Sequence, residues 1–332
     1  MTLTSESRCY FLDVGQGHST VIILPNDRAI VIDGGSSADV PLWWLRSQGV
    51  KRLELVLVSH NDADHSGGIA GILAAYANHG ELGRLLFVQD RNPSEIRWLT
   101  AVREGLAEPM VQRILAAARR LEVSERGQVA WESGDASLRI YYPSFIANLD
   151  AQGRSDANRS SAVVMFSFGR ARVLLPGDAP IGAWRQIHDE IGPISCDLLA
   201  CPHHGGSLSR AAVEMSDLRW LYGTAVTVEG AAIISVGTNN NYGHPRREVV
   251  GALREAGVNV MCTEITTRCC ANLDRFAGVP GRKGPRTENN GVACAGTIEA
   301  TLTRDGVHLS TLDSHRRCVD RLATSDRPLC RL

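Results

Sequence analysis

The sequence has no apolar run approaching the length of a membrane span, and its opening residues, M-T-L-T-S-E-S-R, lack the apolar core of a secretory signal. A soluble, cytoplasmic protein with no membrane partner is therefore expected. It also lacks an excess of either charge: 35 Lys and Arg against 36 Asp and Glu leave a formal net charge of −1. That argues against a protein built chiefly to coat nucleic acid, although a local basic groove is compatible with it. No internal repeat of fixed period occurs, so a repeat array is excluded. No C-x-x-C pair occurs either, and with it goes the commonest zinc spacing. What the 332 residues do contain is ample apolar content for a core, enough for one large domain or two modest ones.

Cysteine, by contrast, is plentiful and uneven. Of nine, Cys9, Cys196 and Cys201 are scattered, while Cys262, Cys269, Cys270, Cys294, Cys318 and Cys330 crowd the last third. Three readings stand for that cluster: a structural zinc site that includes H-R-R-C at 315–318, disulfides, or buried thiols. In a reducing compartment thiols or a metal come before disulfides.

Along the chain, short apolar runs alternate with helix-like segments. R-C-Y-F-L-D-V and S-T-V-I-I-L are split by G-Q-G, and A-I-V-I-D-G-G ends a third strand at Asp33. A helix-like stretch closes at Gly49, a strand covers Leu53 to Ser59, and I-A-G-I-L-A-A-Y-A reads as helix. Ser94 to Leu121 has helical spacing and many charges, which predicts one or two surface helices. Strands return from Ser137, a helix covers Trp184 to Ile191, and C-D-L-L-A-C-P and A-A-I-I-S-V-G are further strands. A helix is predicted to start at Pro245 and to end before Gly257. Residues near 268–292 are irregular and rich in Gly, Pro and charge, and a hairpin around R-D-G follows. Arg268, Arg282, Lys283 and Arg286 make that insertion positive, either as a solvated loop or as a lip that meets substrate phosphates. The order of elements predicts a layered α/β fold with polar loops at strand ends.

Those strand ends carry the chemistry. Asp33, the stretch S-H-N-D-A-D-H-S-G-G at 59–68, Asp178 in P-G-D, and His203 with His204 all follow apolar runs. Imidazole nitrogen and carboxylate oxygen on rigid strand ends suit a hard or borderline divalent ion. On the tight 59–68 loop, His60 and Asp62 can face one way while Asp64 and His65 wrap the other, serving two ions. Read alone, the same stretch is also compatible with an acidic loop capping a helix. In Y-G-H-P, a helix starting at Pro245 would put His244 at the N-cap, where the positive helix end lowers its pKa. A neutral imidazole there can donate to a phosphate oxygen or protonate a leaving alkoxide; a plain helix-start histidine is the alternative.

Taken together, L-D-V-G-Q-G, V-I-D-G-G, S-H-N-D-A-D-H-S-G-G, L-L-P-G-D-A, C-P-H-H-G-G-S and S-V-G-T-N-N-N-Y-G-H-P resemble the metallo-β-lactamase fold. More narrowly they resemble the soluble hydrolase domain of the ComEC competence family, in the family's order over roughly residues 8 to 313. The resemblance implies an α/β, four-layer αβ/βα sandwich over 1–313, with a helical insertion near 92–130 and the irregular insertion near 268–292. A cysteine-bearing tail covers 314–332. It implies a dinuclear site of zinc or manganese: His60 and Asp62 on one ion, Asp64 and His65 on the other, Asp178 bridging. His203 or His204, with preference for His203, would complete it, and the other would be a nearby or substrate contact. Asp33 would orient a ligand histidine.

This sequence departs from the wider fold family at D-A-N-R-S-S-A-V, where many members have a ligand histidine; Asn158, Ser161 or water would stand there. It departs again at His18, where ComEC-like sequences generally have aspartate; His18 would line the site or lie solvated in a turn. Asn241 joins the residues near the substrate. The expected function is a metal-dependent phosphodiesterase or nuclease acting on nucleic acid or a nucleotide, with Asp64 and His244 as catalytic residues. A small ester, lactone or β-lactam hydrolase, and a non-catalytic subunit with a structural metal, are the alternatives. The carboxylate-rich first site tilts the expectation toward manganese and phosphodiesters.

Overall fold

Alternation along the strands decides which side chains meet. In Thr20–Leu24, Val21 and Ile23 pack under helices while Ile22 and Leu24 face a second sheet. The computed structural model describes residues 6–78, 81–89, 94–121, 127–144, 146–148, 156–209, 214–270, 272–273, 291–324 and 326–330.

One sheet has the spatial order β15 (Val307–Leu309), β14 (Ile298–Thr303), β1 (Glu6–Phe11), β2 (Thr20–Leu24), β3 (Arg28–Ile32), β4 (Arg52–Val58), β5 (Leu82–Phe87), β6 (Ala118–Arg120). The other runs β13 (Asn259–Cys262), β12 (Val226–Ile234), β11 (Cys196–Ala200), β10 (Ala171–Leu175), β9 (Val163–Phe168), β8 (Ala136–Tyr142), β7 (Gln128–Ser133). Phe11, Ile30, Leu55 and Leu57 of the first sheet meet Leu138, Phe166, Val173 and Ile233 of the second in a central apolar layer.

Helices cover both outer faces. Outside the first sheet, α1 (Asp39–Ser47), α3 (Ile69–Ala77), α4 (Arg97–Gly105) and α5 (Glu108–Ala117) bury Trp44, Leu45, Ile72, Trp98 and Ile114. The segment 94–121 is thus more than a surface feature. Its helices bury an apolar stripe, and its end adds strand β6 to the sheet. Outside the second sheet, α6 (Ile181–Ile191), α7 (Met215–Ala225) and α8 (Arg247–Glu255) bury Trp184, Tyr222 and Leu253. The result is a four-layer αβ/βα sandwich, as the sequence motifs implied. α2 (Ala63–Ser66) lies in the site loop, and α9 (Leu312–Ala323) carries the segment read as the tail. Among the described residues, no helix is long and apolar enough to cross a membrane.

Two sets of parallel strands, β3 with β4 and β10 with β11 and β12, place their carboxyl ends along one edge of the sandwich. β4 holds one extra residue, Glu54, opposite the Ala29–Ile30 step of β3. That bulge sets the face taken by Leu55 and Leu57 just ahead of the site loop.

Candidate metal centre

The loop after β4 is held by stacking against the loop after β3. Gly34 N–H donates to the His65 carbonyl at 2.7 Å, and Gly68 N–H donates to the Gly35 carbonyl at 3.0 Å. A Cβ on Gly68 would lie 2.2 Å from the Gly34 oxygen, so the two glycine pairs permit this backbone-to-backbone contact. The first turn of the chain closes in from a third side, where His18 N–H donates to the Asp64 carbonyl at 2.9 Å.

Asp33, at φ +59 and fully buried, is the hub. Ser59 N–H donates to Oδ1 at 2.7 Å; Ser59 Oγ–H at 2.7 Å, His65 Nδ1 at 2.7 Å and His18 Nδ1 at 3.2 Å converge on Oδ2. Burial pushes its carboxyl pKa up, but the His65 charge and the bonds from both histidines outweigh this and hold it well below the ordinary range. With its lone pairs engaged by four donors, Asp33 orients rather than ligates. Because Ser59 spends its one proton on Asp33, Ser59 Oγ accepts from His60 Nδ1 at 3.0 Å.

That fixes tautomers. His60 Nδ1 is held by Ser59, with Ser161 Oγ at 3.3 Å; His65 Nδ1 by Asp33; His203 Nδ1 by the Ser207 carbonyl at 2.7 Å; His204 Nδ1 by the Ser235 carbonyl at 2.9 Å. Each ring then turns its Nε2 lone pair inward. All four meet at the Asp178 carboxylate: His65 Nε2 at 3.1 Å and His204 Nε2 at 3.7 Å from Oδ1, His203 Nε2 at 3.7 Å and His60 Nε2 at 3.8 Å from Oδ2. Asp62 Oδ2 lies 3.8 Å from His60 Nε2, and Asp64 Oδ2 lies 3.3 Å from His204 Nε2. The donors thus fall into two groups about one carboxylate: His60, Asp62 and His203 on one side, Asp64, His65 and His204 on the other. His203 and His204 both take left-handed backbone (φ +52 and +53), and that tight turn presents consecutive rings to opposite sides of Asp178. The choice between them that the motif left open does not arise.

Whether this set fits a cation is answered by what lacks a partner. His60 Nε2 is buried and makes no hydrogen bond among the described residues. His65 Nε2 and His204 Nε2 face each other at 3.1 Å, an opposition of lone pairs that only a cation between them relieves. Without a metal, a proton takes that place. Burial lowers the His65 pKa, but Asp178 and Asp33 raise it well above the usual histidine range. Asp178 is pushed up by burial and pulled down further by His65, His204 and His60. His60, buried beside His65, is lowered and stays neutral. The pocket is built around positive charge, and its N and O donors suit zinc or manganese.

Gly177 is a second tight point in the wall. A Cβ there would fall 2.3 Å from Ser161 Oγ and 2.9 Å from Ser59 Oγ, and its φ is +53. Ser161 Oγ also accepts from Asp178 N–H at 2.8 Å. Gly177→Ala is expected to cost about 2–3 kcal/mol of stability, through φ and overlap together, and to weaken metal binding. Chemical denaturation with and without chelator measures both. An unchanged midpoint would show that the serines have room to move.

Of the remaining expected site residues, Asn158 lines an open cleft of about 400 Å³ with Asp62, Asp156, Asp178, His203 and Ser207. Ser161 sits behind His60 rather than in the cleft. His18 is not a solvated turn residue: it is 5% exposed, bonded to Asp33 and, through Nε2, to Thr20 Oγ1 at 3.0 Å. Asn241 is exposed; its neighbour Asn240 is a structural residue, accepting from His244 N–H at 2.9 Å and donating to the His244 and Gly237 carbonyls. The predicted N-cap role of His244 is corrected. α8 begins at Arg247, with Arg246 at its N-cap in extended backbone (φ −78, ψ 143) and its N–H bonded to the Gly205 carbonyl at 2.8 Å. His244 has its pKa lowered to about 4 all the same, by burial first and then by the charges of His204 and His203. Of the basic insertion, Arg268 packs against Gly243, while Arg282, Lys283 and Arg286 lie outside the described residues. Ser59, Ser207, Ser235 and Asn240 are supports that sequence reasoning missed.

Residues 12–142 match the model of the Metallo-beta-lactamase superfamily, the class whose fold this sandwich and its strand-end His/Asp clusters resemble. Within the class it is similar to the ComEC family, as its motifs indicated. ComE operon protein 3 of Bacillus subtilis strain 168 is 25% identical over 285 residues, covering 79% of this chain and 32% of that protein. Recombination protein 2 of Haemophilus influenzae is 28% identical over 269 residues, covering 79% of this chain and 28% of that protein. Competence protein ComA of Neisseria gonorrhoeae is 26% identical over 270 residues, covering 79% and 32%. The chain therefore spans less than a third of the length of each of these relatives.

Proposed function

We propose that this chain is a metal-dependent phosphodiesterase whose substrate is nucleic acid. One observation carries the reading: four oriented imidazoles and the Asp62 and Asp64 carboxylates surround Asp178, and Asp62, Asp178 and His203 line the open cleft. His60, Asp62, His203 and Asp178 would hold one divalent ion, and Asp64, His65, His204 and Asp178 a second, zinc or manganese. Bound there, such ions would supply an activated water and neutralise phosphate oxygens. The chain's own residues do the rest. Asp33 and Ser59 fix the rings, and Asp64 balances charge beside His204. Asn158 and Ser207 give the cleft uncharged polar groups against which a phosphodiester can lie. A donor set that gives each ion two carboxylates beside two imidazoles favours phosphate over a lactam, and relatives named for competence and recombination favour nucleic acid over a small ester.

His244 is held neutral at physiological pH, so its part is to donate a hydrogen bond to a phosphate oxygen rather than to release a proton. Its ring centroid is 5.4 Å from that of His203, and Nδ1 is buried with no hydrogen-bond partner among the described residues. His244→Gln is expected to lower kcat about a hundredfold while metal content stays unchanged. Loss of metal in that variant would move His244 into the ligand set.

The function itself is tested by incubating metal-loaded protein with labelled DNA, RNA and cyclic nucleotides beside a chelated sample and Asp64→Ala. Cleavage of a nucleic acid that both controls abolish supports the reading. Turnover of a lactone or β-lactam with every phosphodiester left intact overturns it.

A further inference from the structure

Outside the His/Asp centre, the late cysteines come together in pairs. Cys262 ends β13, the edge strand of the second sheet, and Cys330 lies beyond α9; they are 68 positions apart, both buried, with Sγ atoms 3.1 Å from one another. Cys294, on the segment leading into β14 of the first sheet, is in side-chain contact with Cys318 on α9. Ile265, Cys269, Cys270 and Leu322 seal the region with an apolar cluster. Among the described residues, the groups of three donor atoms within 4.8 Å of one another all belong to the His/Asp centre. These thiols therefore pair rather than converge on a point, which is the arrangement of disulfides and not of tetrahedral zinc.

We propose that Cys262–Cys330 and Cys294–Cys318 form two disulfide bonds that clasp α9 and the chain beyond it to the end of β13 and to the segment that leads into β14. The oxidant is a small-molecule disulfide of the glutathione type. Cys330, as thiolate, attacks one sulfur of the oxidant, forming a mixed disulfide and releasing one small thiol, which takes up the Cys330 proton. Cys262 then displaces the second small thiol, which carries away its proton. Two protein thiols are oxidised and one disulfide is reduced to two thiols; the second pair reacts likewise. Cys330 is suited to attack first, since contact with Cys262 and then with His315 lowers its pKa to about 6 despite burial. His315 is fully buried on α9, beside Cys330. Such bonds persist in oxidising compartments and are reduced in the cytosol. Oxidation in the cell would therefore place the chain outside the compartment expected from its sequence.

The test equilibrates the full chain with mixtures of reduced and oxidised glutathione, alkylates free thiols after denaturation, and maps peptides by mass spectrometry. The expected result is four fewer free thiols than the nine in the sequence, with Cys262 joined to Cys330 and Cys294 to Cys318. The oxidised protein should melt about 10 °C above the reduced one, because both bonds close long loops in the unfolded chain. Cys330→Ser should leave Cys262 alkylated and narrow that gap, a change that simple loss of packing would not produce. Nine free thiols under oxidising conditions, or scrambled pairing, overturns the proposal. So does a zinc ion that adds beyond the His/Asp centre and protects these thiols from alkylation. None of these outcomes depends on hydrolytic activity.

Discussion

Asp178→Asn is expected to lower hydrolysis about a thousandfold or more and to leave the protein without stoichiometric metal. The substitution is isosteric, so the backbone bond from Asp178 N–H to Ser161 Oγ survives. What changes is charge and hydrogen-bonding sense. Four Nε2 lone pairs lie 3.1–3.8 Å from a carboxylate that the two donor groups share. An amide presents no charge, and its NH₂ would donate to one of those lone pairs and take it from the metal. The chelated protein should also suffer, since the buried His65–Asp178 pair is broken at a cost of about 3 kcal/mol. Metal content, kcat and denaturation in chelator separate the effects. A variant that keeps its metal and works within tenfold of the native rate would show that Asp178 is not shared.

The strands were legible because half-buried sheets impose period two, and the strand-end ligands were legible because Asp and His after apolar runs carry a residue-type signal. The supports were not. The carbonyls of Ser207 and Ser235 hold His203 and His204, and a carbonyl is the same whatever its side chain. Ser59 precedes a ligand in sequence, yet its role depends on Asp33, 26 positions away. The ambiguity at H-H-G-G had a backbone cause. Consecutive left-handed residues at 203 and 204 let both rings reach Asp178, an arrangement that spacing alone does not suggest. His244 was misplaced because Pro245 reads as a first helical residue, whereas the backbone is still extended at Arg246 (φ −78, ψ 143) and the helix starts at Arg247. The cysteine pairs were hidden by distance, since Cys262 and Cys330 meet only once α9 folds back.

Asp33→Asn is expected to cost about 3 kcal/mol of stability and to weaken metal binding about 10- to 100-fold, through the histidines that Asp33 orients. Asparagine tolerates the left-handed backbone at φ +59 nearly as well as aspartate, so the variant isolates the carboxylate, which alanine would not. The amide oxygen can still accept from Ser59 N–H. Its NH₂, however, meets Ser59 Oγ–H, His65 Nδ1–H and His18 Nδ1–H, three donors where acceptance is required. Relief comes most directly by a tautomer change at His65: Nδ1 becomes the acceptor and the proton moves to Nε2. That proton then points at Asp178 and His204, and the lone pair is gone from the centre. Ser59, turned by the same clash, loosens its hold on His60 as well. Calorimetric metal titration and denaturation of the chelated protein give the two numbers independently. Should the variant melt lower yet bind metal as tightly as the native chain, Asp33 would serve the fold alone, and the histidine orientations would have to be maintained by the backbone contacts around them.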